Sequence, residues 1–430
     1  MMRNAHENRP ATRREFLKRS VAVAGIAAVP AIVPARALGR DGAVAPSQRI
    51  VLGAIGNGPR GRHDLECFLA EPDVQFVAIC ECRADRRRQV KELADAKYGN
   101  KDCVMYRDMF ELFARPDIDA LLIATGDRWH APAAILAAKA GKEIYSEKPC
   151  GITIALCQAL DETIRRYGRV FQAGTQRRSV SNFQAAVRLA QSGKLGKLKT
   201  LHASIYNLRV DYGWLPAEPE SPKDVVDWDR WLGPAPWRPY NHKYVDGGWR
   251  GYYDFDSGAT LLDWGAHTVD LCQWANQADE TAPVEYEAQG GTVLAPYANG
   301  VNLVMRPGGW MGLGTCPVRF EGEEGWVETG DSGRVEVHPA SLRSELRVLP
   351  RAGGLGASQN VRNFLDCVKS GALPYSHSGA MRHSHIACHA AALAWQLKRK
   401  LKFDPVQEAF IGDDEANNLR SRAMREPWHV

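Results

Sequence analysis

Three residues of the chain have the types and the setting needed to oxidise an alcohol. Asp263 and His267 are four positions apart in a segment with helical spacing, so both side chains are expected on one helix face. An imidazole with a pKa of about 6.5 can take a hydroxyl proton at neutral pH, and the carboxylate can orient it. Lys148 follows an apolar run and can polarise the substrate oxygen. The sequence leaves open whether His267 or Lys148 is the base.

A glycine-rich turn lies upstream of these residues. Gly56, Gly58 and Gly61 follow the apolar run 49–55 and open a helical segment. The first glycine permits a tight turn, the second lets the backbone approach a pyrophosphate, and the third allows close packing of helix on strand. Glu81 ends the next predicted strand, twenty residues after Gly61, where a carboxylate would hold ribose hydroxyls. The pattern predicts a dinucleotide site.

The acidic residue of this pattern favours NAD over NADP, because a carboxylate at Glu81 would repel a 2′-phosphate. Arg83 is close enough in sequence to reverse that preference, so NADP remains the alternative. The other predicted cofactor contacts are polar residues of the turn and of the ends of later strands: Asn57, Arg60, Thr125, His130, Glu147 and Lys148.

The elements that must position these groups alternate along the first half of the chain. This alternation predicts an α/β fold that begins with a Rossmann domain, residues 49–173, in which crossover helices join parallel strands. The predicted strands are 49–55, 74–80, 120–124, 143–146 and 170–173, and the predicted helices are 61–70, 84–98, 131–140 and 154–167. Lys148 would then lie at a carboxyl end of the sheet, where such sheets bind ligands.

The pattern changes in residues 174–430, which predict an α+β domain with a large, mostly antiparallel sheet. A helix is expected at 183–192 and a strand at 198–206, followed by aromatic, Pro-rich and Gly-rich loops over 211–258 that are typical of binding loops. Residues 284–350 contain several strand-length segments, residues 361–397 are helical, and the tail from Asp413 is expected to pack against the domain.

The charge distribution argues against a nucleic-acid partner. Residues 1–37 contain seven basic and two acidic residues, which accounts for the whole net charge of +5. The remainder is neutral and has no global field to attract a polyanion. The pair Arg13-Arg14, the apolar stretch 20–33 and the sequence Ala35-Arg36-Ala37 predict a twin-arginine export signal over 1–37, with a linker over 38–48. The mature protein is expected in the periplasm or otherwise exported, without a membrane anchor.

The ten cysteines are scattered from Cys67 to Cys388 and form no compact framework, so most are expected to be buried thiols. Cys80 and Cys82 are the closest pair, but one intervening residue is not the spacing of a zinc or redox motif. No metal site is predicted.

Longer stretches of the chain resemble the glucose-fructose oxidoreductase and inositol dehydrogenase family. The resemblance rests on Asp119–Thr125 with Trp129-His130, on Glu147-Lys148-Pro149, on Gly174–Arg178, on Trp231–Pro234 and on Gly258–Asp270. It implies a Rossmann domain followed by a domain whose open sheet often forms oligomer contacts, with substrate between the two. A homo-oligomer, dimer or tetramer, is therefore expected. It also implies that Lys148 belongs to the Glu-Lys-Pro motif and that Asp263 and His267 fill an Asp-x-x-x-His motif.

The resemblance makes a carbohydrate the expected substrate. Arginine suits hydroxyls or acids and aromatic faces suit sugar C–H groups, which makes Arg178, Tyr206, Trp249, Arg250 and Tyr253 candidate cleft residues, with packing as the alternative for each. Gly126 departs from the family, whose members commonly have proline there. Two activities are expected: NAD(P)-dependent oxidation of a sugar, polyol or glycoside, and, as the alternative, NAD-dependent glycoside cleavage through transient oxidation. A non-catalytic sugar-binding protein is disfavoured, because both Lys148 and His267 are present.

Overall fold

The computed structural model describes residues 44–346 and 356–430, and Arg49–Val430 form one compact unit. Pro46–Gln48 make a short 3-10 turn before it. The predicted export signal, residues 1–37, and most of the predicted linker lie outside the described residues.

Six short strands alternate with helices in the first part of the unit. The strands are β1 (Ile50–Ile55), β2 (Val74–Cys80), β3 (Val104–Tyr106), β4 (Ala120–Ile123), β5 (Glu143–Ser146) and β6 (Phe171–Ala173). The helices are α1 (Pro59–Ala70), α2 (Ala84–Tyr98), α3 (Met109–Phe113), α4 (Asp127–Lys139) and α5 (Ile154–Tyr167). Local signals explain the ends of α5: the Thr153 side chain accepts a hydrogen bond from the Leu156 amide, and Gly168 takes the left-handed conformation at its end.

These strands form one parallel sheet in the order β3-β2-β1-β4-β5-β6. All four residues of β4 are buried, as expected for a parallel strand covered on both faces. The strand order reverses direction between β1 and β4, and ligands of such sheets bind at the carboxyl ends beside that point. Gly56, Thr125 and Glu147 follow β1, β4 and β5, so the predicted cofactor residues meet at this edge.

The second part of the unit is built around a nine-stranded sheet. The strands are β7 (Leu198–Ile205), β8 (Glu285–Gln289), β9 (Thr292–Pro296), β10 (Asn302–Pro307), β11 (Val318–Gly322), β12 (Trp326–Thr329), β13 (Val335–His338), β14 (Leu401–Asp404) and β15 (Ala409–Phe410). The helices are α6 (Ser181–Gln191), α7 (Trp228–Leu232), α8 (Leu261–Ala275), α9 (Ser358–Ser370), α10 (Ser378–Leu397) and α11 (Asp414–Asn418). Shorter helical turns are Gln176–Ser179, Tyr244–Gly248 and Ala340–Glu345.

The strand order of this sheet is β13-β12-β11-β7-β10-β9-β8-β14-β15. Strands β7 and β10 are parallel, and the other neighbouring pairs are antiparallel. Helices α6, α8 and α10 pack on one face and form the largest apolar core with it. Buried and partly exposed residues alternate along β10 and β12, so the opposite face is accessible. The predicted fold class is confirmed.

The aromatic loop between β7 and α8 packs against the carboxyl edge of the first sheet. Trp228 stacks on Trp231 with ring centroids 4.8 Å apart, within a cluster of buried aromatic and apolar residues. The Ala84 amide donates to the Val225 carbonyl at 2.9 Å, and the Asp227 amide donates to the Cys82 carbonyl at 3.1 Å. The predicted loop region is therefore held over the first sheet by backbone hydrogen bonds.

Several features differ from the sequence-based expectations. Strand β3 and helix α3 were not predicted, because each is too short to show a periodic pattern. The single helix expected over 361–397 is two helices, since Gly371 takes the left-handed conformation (φ 72°) and Pro374 follows. The tail does pack against the unit, where Trp428 meets Trp129 edge to face with centroids 5.3 Å apart.

Within residues 44–346 and 356–430, no helix is long and apolar enough to cross a membrane. The ten cysteines are free thiols, and nine of them are buried, as predicted. In the same described residues, no cluster of three or more His, Cys, Asp or Glu side chains has the arrangement of a metal site.

Candidate active site

Two adjoining cavities lie at the carboxyl edge of the parallel sheet. The first, of about 550 Å³, lies beside the glycine-rich turn, and we call it the turn cavity. The second, of about 750 Å³, lies between that edge and helix α8, and we call it the reaction cavity. Both are lined by Arg60, Ala124, Thr125 and Arg250. A molecule in the turn cavity can therefore reach groups in the reaction cavity.

The three glycines of the turn serve different structural needs. Gly56 has a φ of 75°, and a Cβ there would lie 2.8 Å from the Thr125 Cα. A Cβ on Gly61 would lie 2.8 Å from the Ala124 Cβ, so both positions exclude larger residues. At Gly58 the nearest side-chain atom to a Cβ, in Arg86, would be 3.7 Å away. This open glycine lines the cavity and leaves its backbone accessible, as the pyrophosphate role requires.

Helix α1 points its N-terminus at the same cavity. Pro59, Arg60 and Gly61 form its first turn and line the turn cavity. No side chain caps this N-terminus. Free amide groups and the positive end of the helix dipole favour an anion here. The residues present therefore fit the diphosphate of a dinucleotide.

Glu81 is held in place by backbone amides. Its carboxylate accepts hydrogen bonds from the Asn57 amide at 2.8 Å and the Arg83 amide at 3.0 Å. It also lines the turn cavity, twenty residues after the last glycine of the turn. The Arg83 guanidinium is engaged by Asp85 at 2.8 Å and Asp246 at 2.7 Å, so two carboxylates neutralise it.

Glu147 belongs to a buried charged cluster that joins α1 to the end of β5. The Arg60 Nε lies 3.2 Å from Glu147 Oε1, and the Arg60 Nη2 lies 2.9 Å from Asp64 Oδ1. Burial and the nearby Glu147 raise the pKa of Asp64 well above its usual range. A Cβ at Gly174 would overlap the Glu147 carboxylate, so glycine at that position makes room for the cluster. Glu147 therefore fixes the turn against the segment that carries Lys148.

His130 joins the two backbone segments that flank the reaction cavity. Its Nδ1 lies 2.9 Å from the Pro149 carbonyl oxygen and its Nε2 lies 3.3 Å from that of Thr125. Burial lowers its pKa to about 4, so the ring is neutral at physiological pH and donates one hydrogen bond. The shorter contact makes the Pro149 carbonyl the better acceptor. His130 is thus placed to hold the Thr125 turn next to the Glu-Lys-Pro segment.

The structure gives a reason for Gly126. A Cβ there would lie 2.5 Å from an Arg128 guanidinium nitrogen. Arg128 stacks on the Trp231 ring, 3.6 Å from its centroid, and donates through Nε to the Trp231 carbonyl at 2.9 Å. Glycine at this position thus accommodates an arginine that binds the aromatic loop to the first sheet.

Lys148, Asp263 and His267 all line the reaction cavity. Asp263 and His267 lie on α8, as predicted, but the expected contact between them is not formed. His267 Nδ1 has no hydrogen-bond partner in the part of the chain that the structure describes, and the Asp263 carboxylate lies 3.5 Å from Arg250 Nε. Lys148 Nζ instead donates to the Asp263 backbone carbonyl at 2.7 Å. The Glu-Lys-Pro motif is therefore joined to the Asp-x-x-x-His motif by a hydrogen bond from Lys148 to the backbone of α8.

The imidazole of His267 is neutral. Burial, reinforced by the positive charges of Arg177 and Lys148, lowers its pKa well below about 6.5. The ring therefore has an unprotonated nitrogen at physiological pH, which a general base requires.

A carboxyl group that the sequence reasoning missed also lines the reaction cavity. Burial and the nearby carboxylates of Asp256 and Asp263 raise the pKa of Asp127 to about 8. Burial and Asp263 likewise raise the pKa of Asp256 to about 7. Asp127 follows the Thr125 turn as the first residue of α4, and this position was the one sequence signal available. The cavity thus contains a carboxylic acid that keeps its proton near neutral pH.

Some of the predicted substrate residues line the two cavities, and others do not. Tyr206 and Arg250 line the reaction cavity, and Trp249 lines the turn cavity. Arg178 does not line either cavity, which corrects its prediction. Its buried guanidinium pairs with Asp270 at 2.7 Å and Asp279 at 2.6 Å. Arg178 therefore joins α8 to the following loop.

Tyr253 is also outside the cleft, since its ring contacts Tyr212 and Arg422. Several residues of the reaction cavity were not predicted, because no residue-level role was assigned to them within the motif segments or because they lie outside any motif: Gln176, Arg177, Asn207, Arg209, Thr260, Trp264 and Cys316. A polar segment directly after β7 was the only available indication of Asn207 and Arg209.

Fold and cleft together define the class of two-domain proteins in which a Rossmann domain binds a dinucleotide next to a second, sheet-based domain. Family models agree with that class over most of the chain. The NAD-binding Rossmann-fold model of the Gfo/Idh/MocA oxidoreductases matches residues 50–175, and the C-terminal alpha/beta domain model matches residues 183–300 and 332–430. The chain belongs to the Gfo/Idh/MocA oxidoreductase family.

Curated relatives have two different activities in their names. The chain is 30% identical over 146 residues to a myo-inositol 2-dehydrogenase of Thermotoga maritima, a match that covers 34% of this chain and 42% of that protein. It is 34% identical over 173 residues to an alpha-N-acetylgalactosaminidase of Shewanella oneidensis, covering 36% of this chain and 37% of that protein. The matches thus span less than half the length of these relatives.

Solved structures show the same fold over almost their whole length. A dehydrogenase from Chromobacterium violaceum, in complex with NADH and UDP-GlcNAcA, superposes with a TM-score of 0.63 at 16% identity and covers 84% of this chain and 98% of that one. An aldose-aldose oxidoreductase from Caulobacter crescentus superposes with a TM-score of 0.59 at 17% identity, covering 83% and 100%. At these identities the likeness concerns the fold.

Proposed function

We propose that this protein is an NAD-dependent oxidoreductase that transfers hydride between a hydroxyl-bearing carbon of a sugar, polyol or glycoside and a tightly held nicotinamide. The observation that carries the proposal is the shared wall of the two cavities. Lys148 and a neutral His267 line the cavity next to the one formed by the glycine-rich turn. A hydroxyl group placed beside them lies within reach of a nicotinamide bound through the turn.

In this proposal His267 accepts the hydroxyl proton and Lys148 stabilises the negative charge that develops on the oxygen. The bound nicotinamide supplies the hydride acceptor. The hydrogen bond from Lys148 Nζ to the Asp263 carbonyl orients the ammonium and leaves two of its protons for the substrate. Asp263 acts through Arg250, whose guanidinium it approaches at the cavity wall.

The dinucleotide is held by the turn and by the strand ends around it. Gly56, Gly58 and Gly61 with the N-terminus of α1 fit the diphosphate, and Glu81 fits the ribose hydroxyls. The other residues assigned to this site are Asn57, Arg60, Arg83, Thr125, His130, Glu147 and Lys148. NAD is favoured over NADP because the Arg83 guanidinium, two residues after Glu81, is already neutralised by Asp85 and Asp246.

NAD-dependent glycoside cleavage is the second candidate function, and Asp127 favours it. Elimination of an aglycone needs an acid to protonate the leaving oxygen, whereas simple oxidation does not. Asp127 has its proton near neutral pH and lines the reaction cavity. The names of the curated relatives support both candidates.

We also propose that residues 1–37 are a twin-arginine signal and that the mature protein works in the periplasm or otherwise outside the cytoplasm. Twin-arginine transport moves folded proteins, so the cofactor can be loaded before export and retained. No stable membrane anchor is expected after cleavage. The accessible face of the nine-stranded sheet supports a homo-oligomer, a dimer or tetramer.

The test starts from protein purified without added cofactor. The protein is denatured, and the released dinucleotide is identified and quantified by mass spectrometry. Near-stoichiometric NAD is expected; NADP would overturn the cofactor assignment, and no dinucleotide would overturn retention.

A panel of sugars and aryl glycosides is then added to the loaded protein while nicotinamide absorbance and aglycone release are recorded. A change in absorbance without aglycone supports oxidation, whereas aglycone release without net reduction supports cleavage. Absence of both signals across the panel, with NAD bound, would contradict the proposed chemistry.

A further inference from the structure

A third cavity, of about 420 Å³, adjoins the reaction cavity on the side of the aromatic loop. Arg209 and Arg250 line both cavities. Lys243 lines the third cavity as well, and Asp211 is the carboxylate among its lining residues. We call the site formed by Arg209, Lys243 and Arg250 the cationic pocket. It is continuous with the space in which Lys148 and His267 act.

Arg209 has a fixed position without an acidic partner. Its Nη2 donates to the Arg250 carbonyl at 2.9 Å, and its guanidinium lies against Gly251. A Cβ on Gly251, which has a φ of 85°, would lie 2.5 Å from the same Nη2. Within residues 44–346 and 356–430, no carboxylate forms an ion pair with Arg209. Glycine at position 251 thus makes room for the Arg209 guanidinium.

Arg250 and Lys243 add to this charge. The Arg250 side chain is 53% exposed, and its guanidinium lies over the Trp249 ring, 4.5 Å from the centroid. Its acidic neighbour, Asp263, is 3.5 Å away. Lys243 is exposed and has no ion pair within the described part of the chain. Asp211 contributes one negative charge to this cavity, and one of its oxygens accepts a hydrogen bond from the Gly213 amide at 2.7 Å.

The three cations outnumber the two carboxylates that lie among them, Asp211 and Asp263, so the excess positive charge attracts an anion. A guanidinium presents parallel N–H donors that match a carboxylate or a sulfate, and the charge on both partners strengthens these hydrogen bonds. A neutral sugar needs no such excess of charge. The cavity is also of the size that accommodates a small-molecule group.

We propose that the cationic pocket binds a negatively charged substituent of the substrate, so that the sugar recognised by this protein is an acidic saccharide that contains a carboxylate or a sulfate ester. This inference rests on the proposed function of the adjoining reaction cavity. The charged substituent lies in the cationic pocket while another carbon of the same molecule lies beside Lys148 and His267. Arg209 is the main specificity determinant, because it has a fixed geometry and no carboxylate partner.

Binding is tested by isothermal calorimetry on the full chain with its dinucleotide bound. The probes are methyl glucuronide, glucose 6-sulfate and, as the neutral reference, methyl glucoside. The unmodified protein is expected to bind at least one acidic probe roughly tenfold or more tightly than the neutral sugar. The difference shrinks as salt is raised, because the pocket is open to solvent. The two acidic probes distinguish a carboxylate site from a sulfate site.

Arg209→Gln is expected to remove most of this preference, because it weakens binding of the acidic probes by a much larger factor than binding of methyl glucoside. Lys243→Gln gives a smaller loss of the same kind. The matched control is Arg188→Gln, on the exposed surface of α6, which is expected to change neither affinity. Equal binding of acidic and neutral probes, no binding of either acidic probe, or equal weakening of all probes by Arg209→Gln would overturn the inference.

Turnover of the same probes separates this inference from the proposed function. Oxidation or cleavage of the neutral sugar, with no preference for acidic ones, would contradict the pocket and leave the function intact. Arg209-dependent binding of an acidic probe that is neither oxidised nor cleaved would support the pocket and contradict the function.

Discussion

The turn cavity and the reaction cavity are built from different parts of the chain. Around the turn, Gly58 leaves its backbone accessible, Gly56 and Gly61 allow close packing, and the Glu81 carboxylate is held by backbone amides. The reaction cavity is lined by ionisable side chains from both domains, among them Lys148, Asp127, His267 and Arg250. A backbone site can bind a dinucleotide regardless of the substrate, whereas a side-chain site can change its substrate by a few substitutions.

The two cavities also differ in their electrostatics. In the reaction cavity, burial keeps His267 neutral and keeps a proton on Asp127, so groups able to accept and donate protons lie in one space. Around the turn, Arg83 is neutralised by Asp85 and Asp246, and the anion-binding potential comes from the helix N-terminus. Chemistry and cofactor retention are therefore separable by mutation.

The largest expected effect is on the rate of reaction. His267→Ala should lower kcat by roughly 10²- to 10⁴-fold with the bound dinucleotide retained, because it removes the proton acceptor and leaves the turn intact. Lys148→Arg sharpens the assignment, since arginine keeps the charge but cannot act as a base. Steady-state kinetics on both variants decide between the two residues: a rate below one hundredth of normal in Lys148→Arg, with His267→Ala near normal, would make Lys148 the base.

The next effect concerns cofactor affinity. Gly56→Ala places a Cβ against the backbone at Thr125 and strains a φ of 75°, so we expect at least a roughly tenfold loss of NAD affinity. Gly99→Ala is the matched control: its φ of 67° gives similar strain, but nothing lies within 4 Å of the added Cβ. Thermal midpoints should fall for both, whereas fluorescence titration should show weaker NAD binding only for Gly56→Ala. Equal NAD affinity in the two variants would contradict the role of the turn.

The smallest effect is on the pH dependence of stability. The pKa of Asp127 is raised in the folded state, mainly by burial and then by Asp256 and Asp263, so its stabilising contribution is complete below about pH 4 and is lost as the pH rises through about 8. Asp127→Asn should therefore gain in thermal midpoint relative to the unmodified protein between pH 5 and 9.

The control for this trend is Asp117→Asn, which should show the opposite sign. The hydrogen bond from Arg115 lowers the pKa of Asp117, so its contribution is present above about pH 4 and lost in acid. The deficit of Asp117→Asn should thus shrink as the pH falls. Parallel pH profiles for the two variants would contradict the protonated state of Asp127.

The same contrast explains which parts of the site could be predicted from the sequence. The turn, Glu81 and the Glu-Lys-Pro segment were predictable because a parallel sheet places the carboxyl ends of β1, β2, β4 and β5 at one edge. The spacing of Asp263 and His267 predicted their shared helix but not their partners. Helical spacing does not reveal that Lys148 binds the Asp263 carbonyl, because that contact joins residues 115 positions apart.

The loop residues were harder to place for the same reason. Arginine is a residue type that is common in substrate clefts, yet the Arg178 guanidinium is buried and forms ion pairs with Asp270 and Asp279. No sequence motif marked Arg209, and its role depends on the room left by Gly251 and on the absence of an ion pair with any carboxylate of the described residues. Whether such a residue packs in the interior or binds a ligand depends on its tertiary contacts, and sequence spacing does not reveal those contacts.

Isotope transfer tests the central claim most directly. Protein purified with its dinucleotide is mixed with methyl glucuronide or methyl glucoside deuterated at the ring carbons, quenched rapidly and denatured, and the dinucleotide is analysed by mass spectrometry. We expect one deuterium in the reduced nicotinamide, and a reduced yield of that species in His267→Ala and in Lys148→Met. Consumption of sugar without deuterium in the dinucleotide, or unchanged transfer in both variants, would contradict hydride transfer in this cleft.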